Sequence, residues 1–518
     1  MDTPQTPGQE ELLDLEAAAD RLCVSKTTLY RMLDRGEVKG IKVGRQWRFR
    51  PADLDAYLSR GPVAVALAAL PVDVLDREIA VFAGKLAEAG AEVPPVDDGG
   101  LDQWEARTLQ LFLAIVRLGL AWRASDVHLE VVNEHDERLG LVRFRIDGVL
   151  HEVHRLPLRV HEALILRARI MAGGDPGDGG YLDASQHLPF DGKEQDLRVS
   201  VMNTYLGDML TVRLFGDQHI RRARLDELGF SSEDLARVRG WMQAPSGLIL
   251  VAGPAGSGKT TLLYKLLGDV AGPHLKVGTM EDPVEYQIPW VTQVEINSKT
   301  GRPGNVLRAF IRHDVDISMI GVLRDLETMD VAIHAAEIGQ LMLAPIHVVS
   351  SVDSPRRMVD VFPLEQTEQI RAMTAKSLIG TICIRLVRVL CPECKALTDI
   401  PADLLERVQV VARHGGFEPP ADVRFFRAAG CPACGGTGYR GRTGIYEVLE
   451  VDAAFRSAIL QVAPREELLR LGVANGMRTL AAEGIRKAAE GITSLEEILP
   501  LIRQYEQMLP KDAAVKLS

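Results

Sequence analysis

Two groups of residues in this 518-residue chain combine chemically capable side chains with a spacing that puts them to use. The first is Gly253-Pro-Ala-Gly-Ser-Gly-Lys259-Thr260, which fills every fixed position of G-x-x-x-x-G-K-[ST]. Its glycines let backbone N–H groups turn inward on an anion, and the N-terminus of a following helix adds positive potential. On this reading Gly253, Pro254, Ala255, Gly256, Ser257, Gly258, Lys259, Thr260 and Thr261 hold a nucleoside triphosphate. Lys259 reaches the β- and γ-phosphates, and the Thr260 hydroxyl helps to hold Mg²⁺. The second group is Cys391-Pro-Glu-Cys394 with Cys431-Pro-Ala-Cys434. Each C-x-x-C knuckle can place two thiolates on one cation, and four thiolates suit a closed, structural Zn²⁺ site. Two disulfides are the alternative, disfavoured in a reducing compartment. The remaining cysteines, Cys23 and Cys383, are isolated in apolar surroundings and read as core.

The elements that must position these residues are visible around them. Leu248-Ile-Leu-Val251 is a buried-strand pattern leading into the glycine loop, and Thr261 to Leu267 favours helix behind it. Ile317-Ser-Met-Ile320 is a second buried strand, with Asp316 at its head, and a further strand precedes Glu281. The length allows several domains. The net charge of −11 argues against nucleic-acid binding by the chain as a whole, though not by one domain. The opening residues show no basic-then-apolar leader, and no apolar run is long enough to span a membrane. With only six cysteines, the chain is expected to be cytoplasmic.

Residues 1–10 read as a disordered leader, and 11–60 as a small unit. Leu15 to Leu22 is an amphipathic helix, Ser25 can cap a second one through Leu33, and Ile41 to Arg50 has a hairpin pattern around Gly44-Arg45. This resembles the excisionase/MerR-like winged helix-turn-helix family. Between Ser25 and Arg50 eight Lys/Arg face two acids, which fits DNA phosphates contacted by Lys26, Thr27, Arg31, Arg45 and Arg48. A protein partner for the same module stays equally open. Residues 61–99 read as a linker with short helices.

A helix from Trp104 to Leu120 follows, then Ala124-Ser-Asp-Val-His-Leu-Glu130 and the alternating run Leu141 to Leu150, which turns at Asp147-Gly148. Asp196 to Ser200 and Leu210 to Phe215 read as two more strands. Taken with the glycine loop and Glu281-Asp-Pro-Val-Glu-Tyr286, these strings resemble the hexameric secretion ATPases of type II secretion and type IV pilus assembly, over roughly residues 100–505. The resemblance implies an α/β fold with a RecA-like P-loop core at 226–390 and an α+β domain before it at 100–218. A zinc insertion at 391–447 and a C-terminal helical bundle at 448–510 complete it. It also implies that Arg198 and Arg213 close the active site, and that Glu281, Asp316 and His347 act near the γ-phosphate and Mg²⁺. Its partners would be further copies or a paralogous ATPase in a hexamer, with peripheral contact to an inner-membrane secretion or pilus platform.

The departures from that family concern hydrolysis. Where it reads G-E-I-R-D this chain has Gly321-Val322-Leu-Arg-Asp325, so the water-orienting glutamate is a valine. One of two His-box histidines is Gln340, and Gly177 to Gly192 lacks the family's basic residues. General-base action contributes about 10²–10⁴-fold, so the expectation is a nucleotide-binding member with weak turnover, unless Glu281 substitutes as base. A nucleotide-sensing pseudoenzyme and an ATP-switched DNA-binding regulator are the alternatives.

Overall fold

A computed structural model describes residues 12–22, 26, 29–30, 33, 38–44, 46–51, 53–54, 70–96, 101–174, 180–190, 193–215, 223–296, 303–321, 323 and 326–507. The chain divides into two compact units, 1–221 and 222–518.

The first unit opens with helix α1 (Leu15–Arg21) and the hairpin of β1 (Ile41–Val43) and β2 (Gln46–Arg48). Gly44 sits at its tip with φ +63, as the hairpin pattern requires. Ala18, Leu29, Phe49 and Leu54 close a miniature core. Most of the second helix lies outside the described residues, although Lys26, Leu29, Tyr30 and Leu33 are helical. Within 61–99, expected as a linker with short helices, stands α2 (Val72–Glu88), a longer helix than expected: Leu75, Phe82 and Leu86 fall on one helical face and are fully buried. They pack on α3 (Gln103–Ala121), which a reciprocal Asp102–Glu105 capping box starts.

The rest of the unit is α4 (Leu158–Met171) on an antiparallel sheet of β3 (Ala124–Glu134), β4 (Glu137–Ile146), β5 (Val149–Pro157), β6 (Leu182–Phe190), β7 (Lys193–Asn203) and β8 (Asp208–Phe215). Strand order is β5-β4-β3-β8-β7-β6. The turn falls at Asp147-Gly148, both at positive φ.

The second unit begins with α5 (Ser232–Trp241) and is built on strands β9 (Gly247–Ala252), β10 (Val277–Glu281), β11 (Val291–Glu295), β12 (Ile317–Ile320), β13 (Leu341–Ile346) and β14 (Leu378–Leu390). They run parallel in the order β11-β10-β12-β13-β9-β14. The central strand β9 is buried at all six positions, the continuous apolar run that a sheet covered on both faces demands. Ile249 and Val251 pack with Leu262 and Leu266 of α6 (Lys259–Val270), the helix behind the glycine loop. Leu248 and Leu250 face the other way, into a core with α8 (Leu326–Glu337) and α10 (Thr367–Ser377). The short helices α7 (Pro303–Ile311) and α9 (Ser354–Asp360) complete the layer.

After β14 come β15 (Ala396–Thr398), α11 (Ala402–His414) and β16 (Phe425–Arg427), which form the cysteine-bearing insertion. The chain re-enters the sheet earlier than 447: β17 (Tyr439–Glu450) pairs antiparallel with β14 along most of its length. Helices α12 (Ala453–Leu460), α13 (Arg465–Ala474), α14 (Leu480–Ala489) and α15 (Leu495–Glu506) close the unit.

One buried carboxylate ties three of these parts together. Glu447 on β17, 3% exposed, accepts hydrogen bonds from Ser350 Oγ (2.5 Å), Ser351 N (2.6 Å), Ser351 Oγ (2.6 Å) and Leu480 N (3.2 Å). Glu447→Ala strands these donors and should cost about 3 kcal/mol. Calorimetry should show a lowered melting transition for the second unit and an unchanged one for the first.

Candidate functional site

Parallel strands bring their carboxyl ends to one edge, where ligands of open α/β sheets bind. The glycine loop leaves β9 at that edge, and Gly253 N donates to Ile346 O (3.2 Å) at the end of β13. Gly253, Gly256 and Gly258 adopt φ values of +149, +72 and +96, conformations that glycine reaches without strain. A Cβ on Gly253 would lie 2.5 Å from Ser257 Oγ and 2.7 Å from Ile384 O, so the loop closes only around glycine there. Helix α6 has Gly258 as N-cap and no side-chain cap, which leaves its first amides for an anion. Ser257 Oγ is buried and has no hydrogen-bond partner among the described residues. Lys259 Nζ donates to Gly253 O (2.9 Å) and Pro254 O (2.7 Å), folded back over its own loop. Burial first, then the Arg385 guanidinium, lowers its affinity for the proton. An orphaned hydroxyl, uncapped amides and a lysine held over the loop fit a phosphate chain.

The structure sorts the expected catalytic residues by edge. Glu281 ends β10 at the loop edge, and exposed His347 directly follows β13 there. Asp316 and Gln340 are corrections. Leu341 pairs with both Ile317 and Gly247, so both residues stand at the opposite edge, a strand length or about 20 Å from the loop. Asp316 Oδ2 accepts from Lys276 N (2.7 Å), and Gln340 Nε2 donates to Ile311 O (3.1 Å). Both residues are thus engaged at the edge away from the glycine loop. Val322, Arg324 and Asp325 lie outside the described residues. Before them, Gly321 N donates to Met280 O (2.6 Å), and a Cβ on Gly321 would meet Glu281 Cα at 3.1 Å.

Glu281 is 2% exposed and accepts three hydrogen bonds. Its carboxylate accepts from the Tyr264 hydroxyl, Thr279 Oγ1 (2.5 Å) and Gln293 Nε2 (3.1 Å), while the Tyr264 oxygen accepts from Glu285 N (3.1 Å). Burial and the neighbouring Glu281 raise the Tyr264 pKa far above its ordinary value, so the hydroxyl keeps its proton and donates. Tyr264 was absent from the sequence reading. The available signal was its place one turn beyond Thr260 on α6.

In the first unit Arg198 makes a bidentate pair with Asp183 (2.7 and 2.6 Å) and Arg213 pairs with Asp126 (3.0 Å). The Arg198 guanidinium holds the Asp183 carboxyl down at about 2. Within the helix-turn-helix, Lys26 pairs with Glu16 (2.8 Å) and Arg48 Nη2 donates to Gln46 (2.8 Å). Thr27, Arg31 and Arg45 lie outside the described residues.

Cys391, Cys394, Cys431 and Cys434 converge with their sulfurs within 4.8 Å of one another. The separations of 3.8 Å (Cys391–Cys431), 3.9 Å (Cys394–Cys434) and 3.7 Å (Cys431–Cys434) match the edge of about 3.8 Å that a ZnS₄ tetrahedron requires. At Cys434 burial opposes the thiolate, but the amides of Cys431 (3.2 Å) and Gly438 (3.1 Å) donate to its sulfur and bring the thiol down to about 6. These residues fit a structural zinc ion. Protein prepared without chelator should carry about one zinc per chain, and elemental analysis of Cys431→Ser should show that metal lost.

Comparison with known proteins agrees with this geometry. The family model for type II/IV secretion system proteins matches residues 105–500, and a helix-turn-helix domain model matches 12–62. The type II secretion system protein HxcR of Pseudomonas aeruginosa is 34% identical over 463 residues, covering 88% of this chain and 89% of its own. The type IV pilus assembly ATPase PilB of Myxococcus xanthus is 34% identical over 423 residues, covering 79% and 70%. In fold, the chain resembles the ATPase DotB of Legionella pneumophila, with a TM-score of 0.54 at 17% identity over 76% of this chain and 95% of that one. The chain belongs to the type II/IV secretion system protein family and carries a helix-turn-helix domain at its N-terminus.

Proposed function

We propose that this protein binds Mg-ATP in the glycine loop and couples binding, with slow hydrolysis, to type II secretion or type IV pilus assembly. The observation that carries this reading is the loop itself: positive-φ glycines, an uncapped helix start and Lys259 over the loop, at the carboxyl edge of a parallel sheet. Backbone amides and Lys259 would hold the phosphates. The Thr260 hydroxyl would hold Mg²⁺, which neutralises charge between the β- and γ-phosphates. His347, at the loop edge, would face the terminal phosphate. Arg198 and Arg213 are the arginines that the family resemblance assigns to closing the site. Glu281 supports the Asp box through Tyr264, its two oxygens engaged by Tyr264, Thr279 and Gln293. With Val322 at the water-orienting position, binding outlasts chemistry.

In this reading the chain works as a homo-hexamer or beside a paralogous ATPase, against a membrane platform from the cytoplasmic side. No helix among the described residues is long and apolar enough to cross a membrane. Residues 11–60 add a contact for DNA or a protein partner. A gel shift with the full chain, compared with one lacking residues 1–62, separates these two.

Lys259→Ala should abolish measurable ATP-analogue binding by calorimetry, since a charge-assisted contact is worth about 1.5–3 kcal/mol in addition to its organising effect. Unchanged affinity would remove the loop from the account. Val322→Glu should raise steady-state phosphate release by at least about tenfold without altering ATP affinity. A parent rate already equal to that of an active relative, and no higher in Val322→Glu, would show that another residue serves as base.

A further inference from the structure

Strand β14 runs beside β9 with Cys383 opposite Ala252, so its next residues accompany the start of the glycine loop. A Cβ on Gly258 would lie 3.3 Å from Ile384 Cδ1 and 3.5 Å from Leu386 Cδ2, and one on Gly253 would lie 2.7 Å from Ile384 O. Ile384 and Leu386 line the loop from one face of β14, and strand alternation sends Arg385 off the other face, beside Cys383. Arg385 Nη1 donates to that same Ile384 O (3.4 Å), while Lys259 Nζ donates to Gly253 O (2.9 Å). A guanidinium and an ammonium thus approach Gly253 together.

Neither cation has a carboxylate partner among the described residues. Arg385 is half-buried, and the acids nearest its face are already committed. Glu447, opposite Cys383, takes the hydroxyls of Ser350 and Ser351, and Asp353 is paired with Arg465 (2.8 Å). The guanidinium also lowers the Lys259 pKa, as an uncompensated like charge does. Two such cations in a partly desolvated pocket repel unless an anion joins them. An arginine's planar fork suits phosphate oxygens in a way a lysine's point charge does not.

We propose that Arg385 is a second cation of the nucleotide site, holding the terminal phosphate of a bound nucleoside triphosphate together with Lys259. This rests on the glycine loop binding a triphosphate. It adds a strand-borne contact that discriminates triphosphate from diphosphate.

The test is calorimetric titration of the full chain with Mg-ATP and with Mg-ADP, for the parent, Arg385→Ala, Arg385→Met and Arg385→Lys. Melting without nucleotide is recorded for each. Arg385→Met keeps most of the aliphatic stem and carries the decision if the alanine variant fails to fold. ATP binding should weaken by about tenfold or more, ADP binding by less than about threefold, and Arg385→Lys should recover part of the loss. ATP affinity unchanged in the folded methionine variant, or equal losses for ATP and ADP, would overturn the proposal. A parent that binds neither nucleotide would overturn the loop reading itself.

Discussion

The nucleotide site depends on one constraint, the parallel registration of β9 with its neighbours. Pairing Leu341 with Gly247 and Ile346 with Ala252 fixes β13 against β9, and pairing Cys383 with Ala252 fixes β14 on the other side. That register brings the loop, Glu281, Gly321, His347 and Arg385 to one edge. It is enforced by burial, because every residue of β9 lies between two apolar layers and a slip would expose them. Glu447 then fixes Ser350 and Ser351, just beyond β13, to β17 and α14.

The same constraint explains what was legible in the sequence. The loop, the strand before it and the helix behind it share an uninterrupted local signal, and the four cysteines are marked by spacing alone. Both signals survive folding unchanged. Asp316 and Gln340 were placed by resemblance along the chain, which records neighbours in sequence but not which end of a strand a residue occupies. Strand direction separates Asp316 from Gly321 by the length of β12. The length and packing of the helix Val72–Glu88, as opposed to its being helical, were hidden for a different reason. Its buried positions, Leu75, Phe82 and Leu86, stand among charged residues and further apolar ones such as Ile79 and Val81, and a Pro/Gly-rich stretch that reads as linker follows. The meeting of Tyr264 and Gln293 at Glu281 could not be read, since it requires β10, β11 and α6 to be assembled.

The state of Glu281 bears on hydrolysis. A carboxylate that accepts from Tyr264, Thr279 and Gln293 is held in place by three donors and serves to order its surroundings. To turn towards an attacking water it would have to give up this arrangement, and each bond to a charged group that is lost costs about 1.5–3 kcal/mol. The sequence change at Val322 and the structural engagement of Glu281 point the same way. In the proposed reading both leave the phosphate-holding groups in place and slow the activation of water.

That separation of binding from turnover is the central claim, and a single quenched-sample experiment tests it directly. The full chain is mixed with slightly substoichiometric labelled Mg-ATP, and bound nucleotide and released phosphate are followed in the same samples. The account predicts that nucleotide is captured within the mixing time and then remains predominantly ATP, its conversion about 10²–10⁴ slower than in an active family member treated identically. Rapid conversion of the bound ATP at that relative's rate would contradict it.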